Sequence, residues 1–312
     1  MKPILALIPL FIITATTFAD DEKPSKTRHL KPMKPGVWFG HYGDYRTRAK
    51  EVKKTTEAHH SLGKWAWDHG LEDEAWEQWI KAIKIDPNHA KTRKSMGFVK
   101  QNDKWTRPGK VNPKWIKTVE ADGRALKIDI TIEDDADKVF FEEFKWRLNR
   151  LNWFIWDITQ GQLYIKEINV TDNATGGRFV IQKGKLDIPV LRGGGAFCRM
   201  PGRKNWQVFS GGRCYVRILA HEMCHGVFGL PDERHGCYCL MQGGLYGIKT
   251  KDLVLCDEHS HRHHPITPDA CWKIIKKRYP KMKYPNPNKN IGRVPDAIIK
   301  IKDTKKTTTN QL

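Results

Sequence analysis

Between His221 and Glu233 the chain reads His-Glu-Met-Cys-His-Gly-Val-Phe-Gly-Leu-Pro-Asp-Glu, and this stretch leaves the backbone little choice. On a helix advancing 100° per residue, His221 and His225 point the same way one turn apart, so both imidazoles can reach a common point. Glu222 sits beside that face. Gly229 is expected to end the helix, because glycine accepts the left-handed conformation found at helix C-termini. Leu230-Pro231 then carries the chain back and presents Asp232 or Glu233 to the same point, eleven residues after His221. Two neutral imidazoles and a carboxylate can hold zinc, and a second carboxylate free to move protons makes such a site competent for hydrolysis.

The rest of the chain bounds that reading. Its 312 residues include twelve Trp, which suits a globular chain with real cores rather than a disordered one. A formal charge of +20 attracts anionic polymers, acidic proteins or membrane headgroups. No nucleic-acid-binding motif accompanies the charge, so a solvated basic surface is the expectation and nucleic acid is not an expected partner. Residues 1–19 read as a cleavable secretory signal: Lys2, an apolar run from Ile4 to Phe18, and small residues at Thr17 and Ala19. Pro9 interrupts a run already shorter than a bilayer core needs, and no other segment is apolar enough to span a membrane. A secreted or periplasmic location follows as an expectation. All seven cysteines lie between Cys198 and Cys271. In an exported chain this predicts a local disulfide framework of three bridges, with Cys224 on the helix as the odd buried thiol. A zinc cluster is the lesser alternative, since only Cys237-x-Cys239 approaches the usual ligand spacing.

Taken in order, residues 20–55 form a basic, proline-broken linker that turns helical near Tyr45. In residues 56–100, Leu62-Gly63, Ala75-x-x-x-Trp79, Ala82 and Pro87 fall at the spacing of a tetratricopeptide repeat, and Met96-Gly97 recurs 34 residues after Leu62-Gly63. One and a third repeats cannot bury their own faces, so a helical hairpin docked on its neighbour is expected. Residues 101–120 read as a linker. Within 121–284, Leu126, Ile128, Ile130 and Ile132 alternate with polar residues as in a half-buried strand. Asp134 or Asp135 is placed to cap a helix carrying Phe140, Phe144, Leu148 and Leu151. Strands are predicted at 162–170 and 178–182, with a short one at 186–190. Residues 192–212 are predicted as a glycine-rich mobile loop tied by Cys198 and Cys214. A last helix is expected over 265–277, with Trp272 and Ile275 inward. The order describes an α+β fold, an α/β sandwich with a sheet above the metal-binding helix. Residues 257–264 carry four His in six residues and are expected to be a solvated loop. Residues 285–312 are expected to be a basic disordered tail able to touch an anionic surface.

The motif resembles that of the metzincin metallopeptidases, His-Glu-x-x-His-x-x-Gly-x-x-His above a Met-containing turn. Two departures stand out: the glycine comes one residue late, and Asp232 replaces the third His. The form His-Glu-x-x-His-x-x-x-Gly-x-x-Asp-Glu is similar to the metallopeptidase domain of the calcium-activated chloride channel regulator family. That resemblance implies zinc as cofactor, His221, His225 and Asp232 as its ligands, Glu222 as general base, Glu233 as a supporting residue, and a protein or peptide substrate. It also implies a Met-turn, for which Met241 in Cys239-Leu240-Met241 is the candidate. The tyrosine that some metzincins carry two residues later is replaced by Gly243. The alternatives are a non-catalytic surface-binding protein with a structural metal site and a zinc amidase acting on a non-protein amide.

Overall fold

The computed structural model describes residues 35–188, 196–233, 237, 239–242, 253–261, 267–286 and 291–304. The expected signal at 1–19, the first half of the basic linker, Gly193 to Gly195, Gly243 and residues 262–266 of the histidine-rich stretch lie outside them.

The described chain starts with α1 (Pro35–Glu51), so helix begins a full ten residues before Tyr45. Then α2 (Thr56–Asp68) and α3 (Glu72–Ile85) form an antiparallel hairpin followed by the short α4 (Ala90–Ser95). Thr55 sits in an extended conformation and its Oγ1 accepts the Ala58 amide at 3.3 Å, which sets the start of α2. The expected linker at 101–120 is instead structured. It holds the two-stranded ribbon β1 (Val99–Gln101) and β2 (Lys104–Thr106) and the helix α5 (Pro113–Ala121), whose start is set by Asn112 and by proline in the first turn. A tight turn through Asn102 and Asp103, both at positive φ, makes the ribbon possible where composition alone suggested a spacer.

A six-stranded mixed sheet follows. Its strands are β3 (Ala125–Ile132), β4 (Tyr164–Asp172), β5 (Phe179–Ile181), β6 (Ala196–Arg199), β7 (Gln207–Ser210) and β8 (Ile298–Lys302). Their spatial order is β6-β7-β5-β3-β4-β8, parallel throughout except that β6 runs antiparallel to β7. The long helix α6 (Lys138–Ile158) joins β3 to β4; the metal-motif helix α7 (Val216–Phe228) follows β7, and α8 (Cys271–Arg278) comes later. The fold is therefore mixed α+β, as expected. Asp137, not Asp134 or Asp135, caps α6 by accepting the Phe140 amide at 2.7 Å. Asp134 instead accepts the Gly184 amide at 2.6 Å and holds the turn after β5.

Two expectations fail here for reasons that lie in pairing. Within 192–212 the described residues include β6 and β7, because β7 finds a parallel partner in β5 and an antiparallel one in β6. Within 285–312, residues 291–304 are ordered onto the sheet: β8 pairs with β4, Val294 is fully buried, and the Asn152 amide donates to the Pro295 carbonyl at 2.9 Å. No strand covers 186–188; the remainder of that predicted strand is outside the described residues.

Helix α6 joins two hydrophobic cores. Phe140, Phe144, Leu148, Leu151 and Ile155 pack toward the sheet with Ile128, Ile130 and Val170 and toward α7 with Leu219 and Met223. Trp153 and Trp156 belong to the other core, with Trp76 and Trp79 of α3 and Leu62 of α2. The hairpin thus uses α6 to cover the faces it cannot bury alone.

Candidate metal centre

The metal-motif helix is anchored at both ends. At its start, Tyr215 makes no side-chain cap, and Asp73 of α3 does so from across the interface, its Oδ1 accepting the Val216 amide at 3.3 Å. The Tyr215 hydroxyl donates to Glu74. At the other end Gly229 adopts φ 69° and ψ 29° and its amide returns to the His225 carbonyl, as the glycine predicted. Midway, a methyl group at Gly226 would lie 2.5 Å from the Trp206 ring, so only glycine lets α7 approach this close to the segment before β7.

His221 and His225 face one point, their Nε2 atoms 3.0 Å apart. The turn after Gly229 brings Asp232 Oδ1 to 3.1 Å from His221 Nε2 and 3.3 Å from His225 Nε2. These are near the ~3.3 Å edge of a tetrahedron with metal–nitrogen bonds of about 2.0–2.1 Å. The tautomers are decided by the backbone. His221 Nδ1 donates to the Leu240 carbonyl at 2.8 Å and His225 Nδ1 to the Leu230 carbonyl at 2.5 Å, and a carbonyl can only accept. In the neutral rings both Nε2 atoms are then bare lone pairs, converging with a carboxylate oxygen. Three acceptors aimed at each other repel unless a cation stands between them, so the donor set fits a divalent metal ion.

The two imidazoles hold the Asp232 carboxyl well below the usual carboxylate range. Burial works to lower His225, but the Asp232 carboxylate and the Leu230 carbonyl outweigh it and raise its affinity for positive charge. Glu222, the neighbour on α7, is itself buried, and burial pushes its carboxyl up although His221 and His225 pull against it. Helix α7 packs here against β6, and the Cys198 backbone favours the ionised form of the carboxyl. The imidazoles are covered, whereas the Asp232 side chain is about half exposed at 54 %.

All three expected ligands are therefore together, with Glu222 beside them. Met241 is fully buried one residue after the carbonyl that holds His221, and its own carbonyl accepts the Glu233 amide at 2.7 Å. Glu233 does not support the His site. It is buried facing a second group, with its Oε1 3.8 Å from both Cys256 Sγ and Cys271 Sγ and 3.6 Å from His261 Nδ1. His261 is thus an inward residue, against the expectation of a solvated loop, and its Nε2 also donates to the Thr267 carbonyl at 3.0 Å.

The disulfide framework is not formed. All seven cysteines are described and none is bonded to another. Cys198 and Cys214 do not tie a loop: β6 carries the first, half-exposed, and the second is buried just before α7. Cys224 is wholly buried on α7, in keeping with a small core residue. The contributions of the Leu230 and Leu240 carbonyls and of the Cys198 amide have no signature in residue type, which is why sequence reasoning passed over them. Two groups of side chains among the described residues could hold a metal ion around α7 and the turn after it: His221, His225 and Asp232, and the cysteine cluster with Glu233 and His261.

No protein-family model matches the chain, and no curated protein or solved structure is significantly similar to it.

Proposed function

We propose that the chain is a zinc-dependent endopeptidase with a metzincin-like layout, acting after export. The observation that carries this reading is the convergence of His221 Nε2, His225 Nε2 and Asp232 Oδ1 within 3.3 Å, with both Nδ1 atoms locked on backbone carbonyls and Glu222 adjacent. Zinc held there would polarise a substrate carbonyl and acidify a water, and the partly open side at Asp232 leaves room for both.

The chain's own groups do the remaining work. Glu222 takes the proton of the attacking water and returns it to the leaving amine. Its raised proton affinity suits the first task, because a carboxylate that binds a proton more tightly is the stronger base toward water. Leu230 and Leu240 keep the imidazoles from turning, and so keep their bare nitrogens on the metal side. A peptide is the favoured substrate because β6, which packs against α7, is the outermost of the described strands at its end of the sheet and offers an edge to an extended chain.

The test is metal analysis together with cleavage of a peptide library. Glu222→Ala should keep its zinc and lose roughly two to four orders of magnitude in rate, the usual contribution of a general base. His225→Ala should lose zinc and activity together. Cleavage by Glu222→Ala at the wild-type rate would sink the assignment.

A further inference from the structure

Four cysteines, Cys237, Cys239, Cys256 and Cys271, lie together beneath the turn that carries Asp232, and each is at most 1 % exposed. The sulfurs of Cys239, Cys256 and Cys271 lie within 4.8 Å of one another, and the Cys237 sulfur lies within 4.8 Å of that of Cys256. The Cys239 and Cys271 sulfurs are 4.0 Å apart. A disulfide needs about 2.0 Å between sulfurs, whereas a tetrahedral zinc with sulfur bonds of about 2.3 Å places its ligands about 3.8 Å from one another. The separation of Cys239 and Cys271 is that of two ligands around a shared ion.

Two backbone features favour the charged sulfurs, against the burial that pushes the Cys239 thiol up. The Cys271 amide donates to Cys256 Sγ at 3.3 Å, a bond that favours the charged sulfur. Cys271 is the first residue of α8, where the positive end of the helix dipole favours negative charge. His261 Nδ1 stands 3.5 Å from Cys256 Sγ, and Glu233 Oε1 closes the other side. The donors come from three separate stretches, around 233–239, 256–261 and 271, which share no long helix or strand to hold them together. What joins them is the sulfur cluster and a few backbone bonds, such as Leu240 N to the Val254 carbonyl at 2.8 Å and Trp272 N to the Cys256 carbonyl at 3.0 Å.

We propose that Cys237, Cys239, Cys256 and Cys271 bind a second, structural zinc ion as four thiolates, closed to water and distinct from the centre at His221. Each thiol gives up its proton on binding. The ion clamps the segment from Leu230 to Met241, which supplies the Asp232 carboxylate and the carbonyls of Leu230 and Leu240 to the first centre.

The test uses the full chain and a His221→Ala/His225→Ala variant, which removes the first centre and leaves the cysteines intact. The double variant should retain one zinc per chain, released by an organomercurial as the thiols are titrated. Its cobalt form should show thiolate-to-cobalt charge transfer in the near ultraviolet, which a His and Asp site cannot produce. Cys256→Ser should lose that ion, and if it fails to fold the cobalt spectrum of the double variant decides alone. A double variant without bound metal, or peptide maps that place any of these four cysteines in disulfides, would overturn the proposal. A chain that cleaves no peptide yet holds this ion supports it and fails only the peptidase reading.

Discussion

Gly226 shows how much a single side chain decides in this molecule. The Trp206 ring is fixed on its other sides by Phe179, edge-on at 6.0 Å between ring centres, and by Arg178 stacked at 5.3 Å, so it cannot yield to a new methyl group. Gly226→Ala is expected to cost about 1–3 kcal/mol through overpacking, read as a lower midpoint in chemical denaturation. Because Gly226 follows His225 directly, the same variant should also weaken metal binding. Unchanged stability would mean that α7 and Trp206 separate at little cost.

At the level of elements, the hairpin α2–α3 is part of the metal-binding architecture and not an appendage. Asp73 Oδ1 accepts both from Val216 at the start of α7 and from Arg150 Nη1 of α6, the latter at 2.6 Å, while Arg150 Nη2 reaches Glu72 at 2.9 Å. Arg150 and Asp73 are both buried. Removing Asp73 leaves the buried Arg150 with Glu72 as its one remaining carboxylate partner here and takes the acceptor from the Val216 amide, so Asp73→Ala should destabilise the fold by about 3 kcal/mol. Asp73→Asn keeps an acceptor for Val216 and should lose less; urea denaturation of the two variants side by side checks the order. Glu74, next in the chain, adds a pH dependence. Burial pushes its carboxyl up to about 7 from 4.5, with Arg217 and the Tyr215 hydroxyl pulling the other way. Between those values the unfolded chain is ionised there while the folded chain keeps the proton, so raising the pH favours unfolding. Stability should fall across that window in the wild type, and Glu74→Gln should flatten the profile.

For the molecule as a whole, the C-terminal segment closes the sheet and the second core together. β8 covers the edge of β4, the Trp156 indole donates to the Gly292 carbonyl at 3.1 Å, and the Trp153 indole to Asp296 at 3.1 Å. Truncation after residue 290 would remove these bonds and expose the β4 edge. The expected result is a lower melting temperature and self-association, measured by calorimetry and light scattering. A truncated chain that melts like the full one would show that the segment contributes nothing to stability.

The elements that could be read from residues alone are those governed by local periodicity. Ile128, Ile130 and Ile132 announce a strand, the stripe from Phe140 to Leu151 announces α6, and His221, His225 and Gly229 announce a helix with two ligands and an end. Other features depended on partners far away in the chain. β7 is a strand because β5 lies beside it, and β8 because β4 does; the Ile-Ile-Lys-Ile-Lys of β8 carried a faint alternation that its charge obscured. The cysteines are the clearest case. Their types and spacing favoured bridges and left a metal cluster as the lesser reading, and only the placement of Cys239, Cys256 and Cys271 around one point, too far apart for bonds between them, separates the two. The first metal centre divides the same way. The helix repeat alone set His221 and His225 on one face, whereas the rotation of each ring was decided by the carbonyls of Leu230 and Leu240, which carry no side-chain identity and reach the imidazoles only in the folded chain.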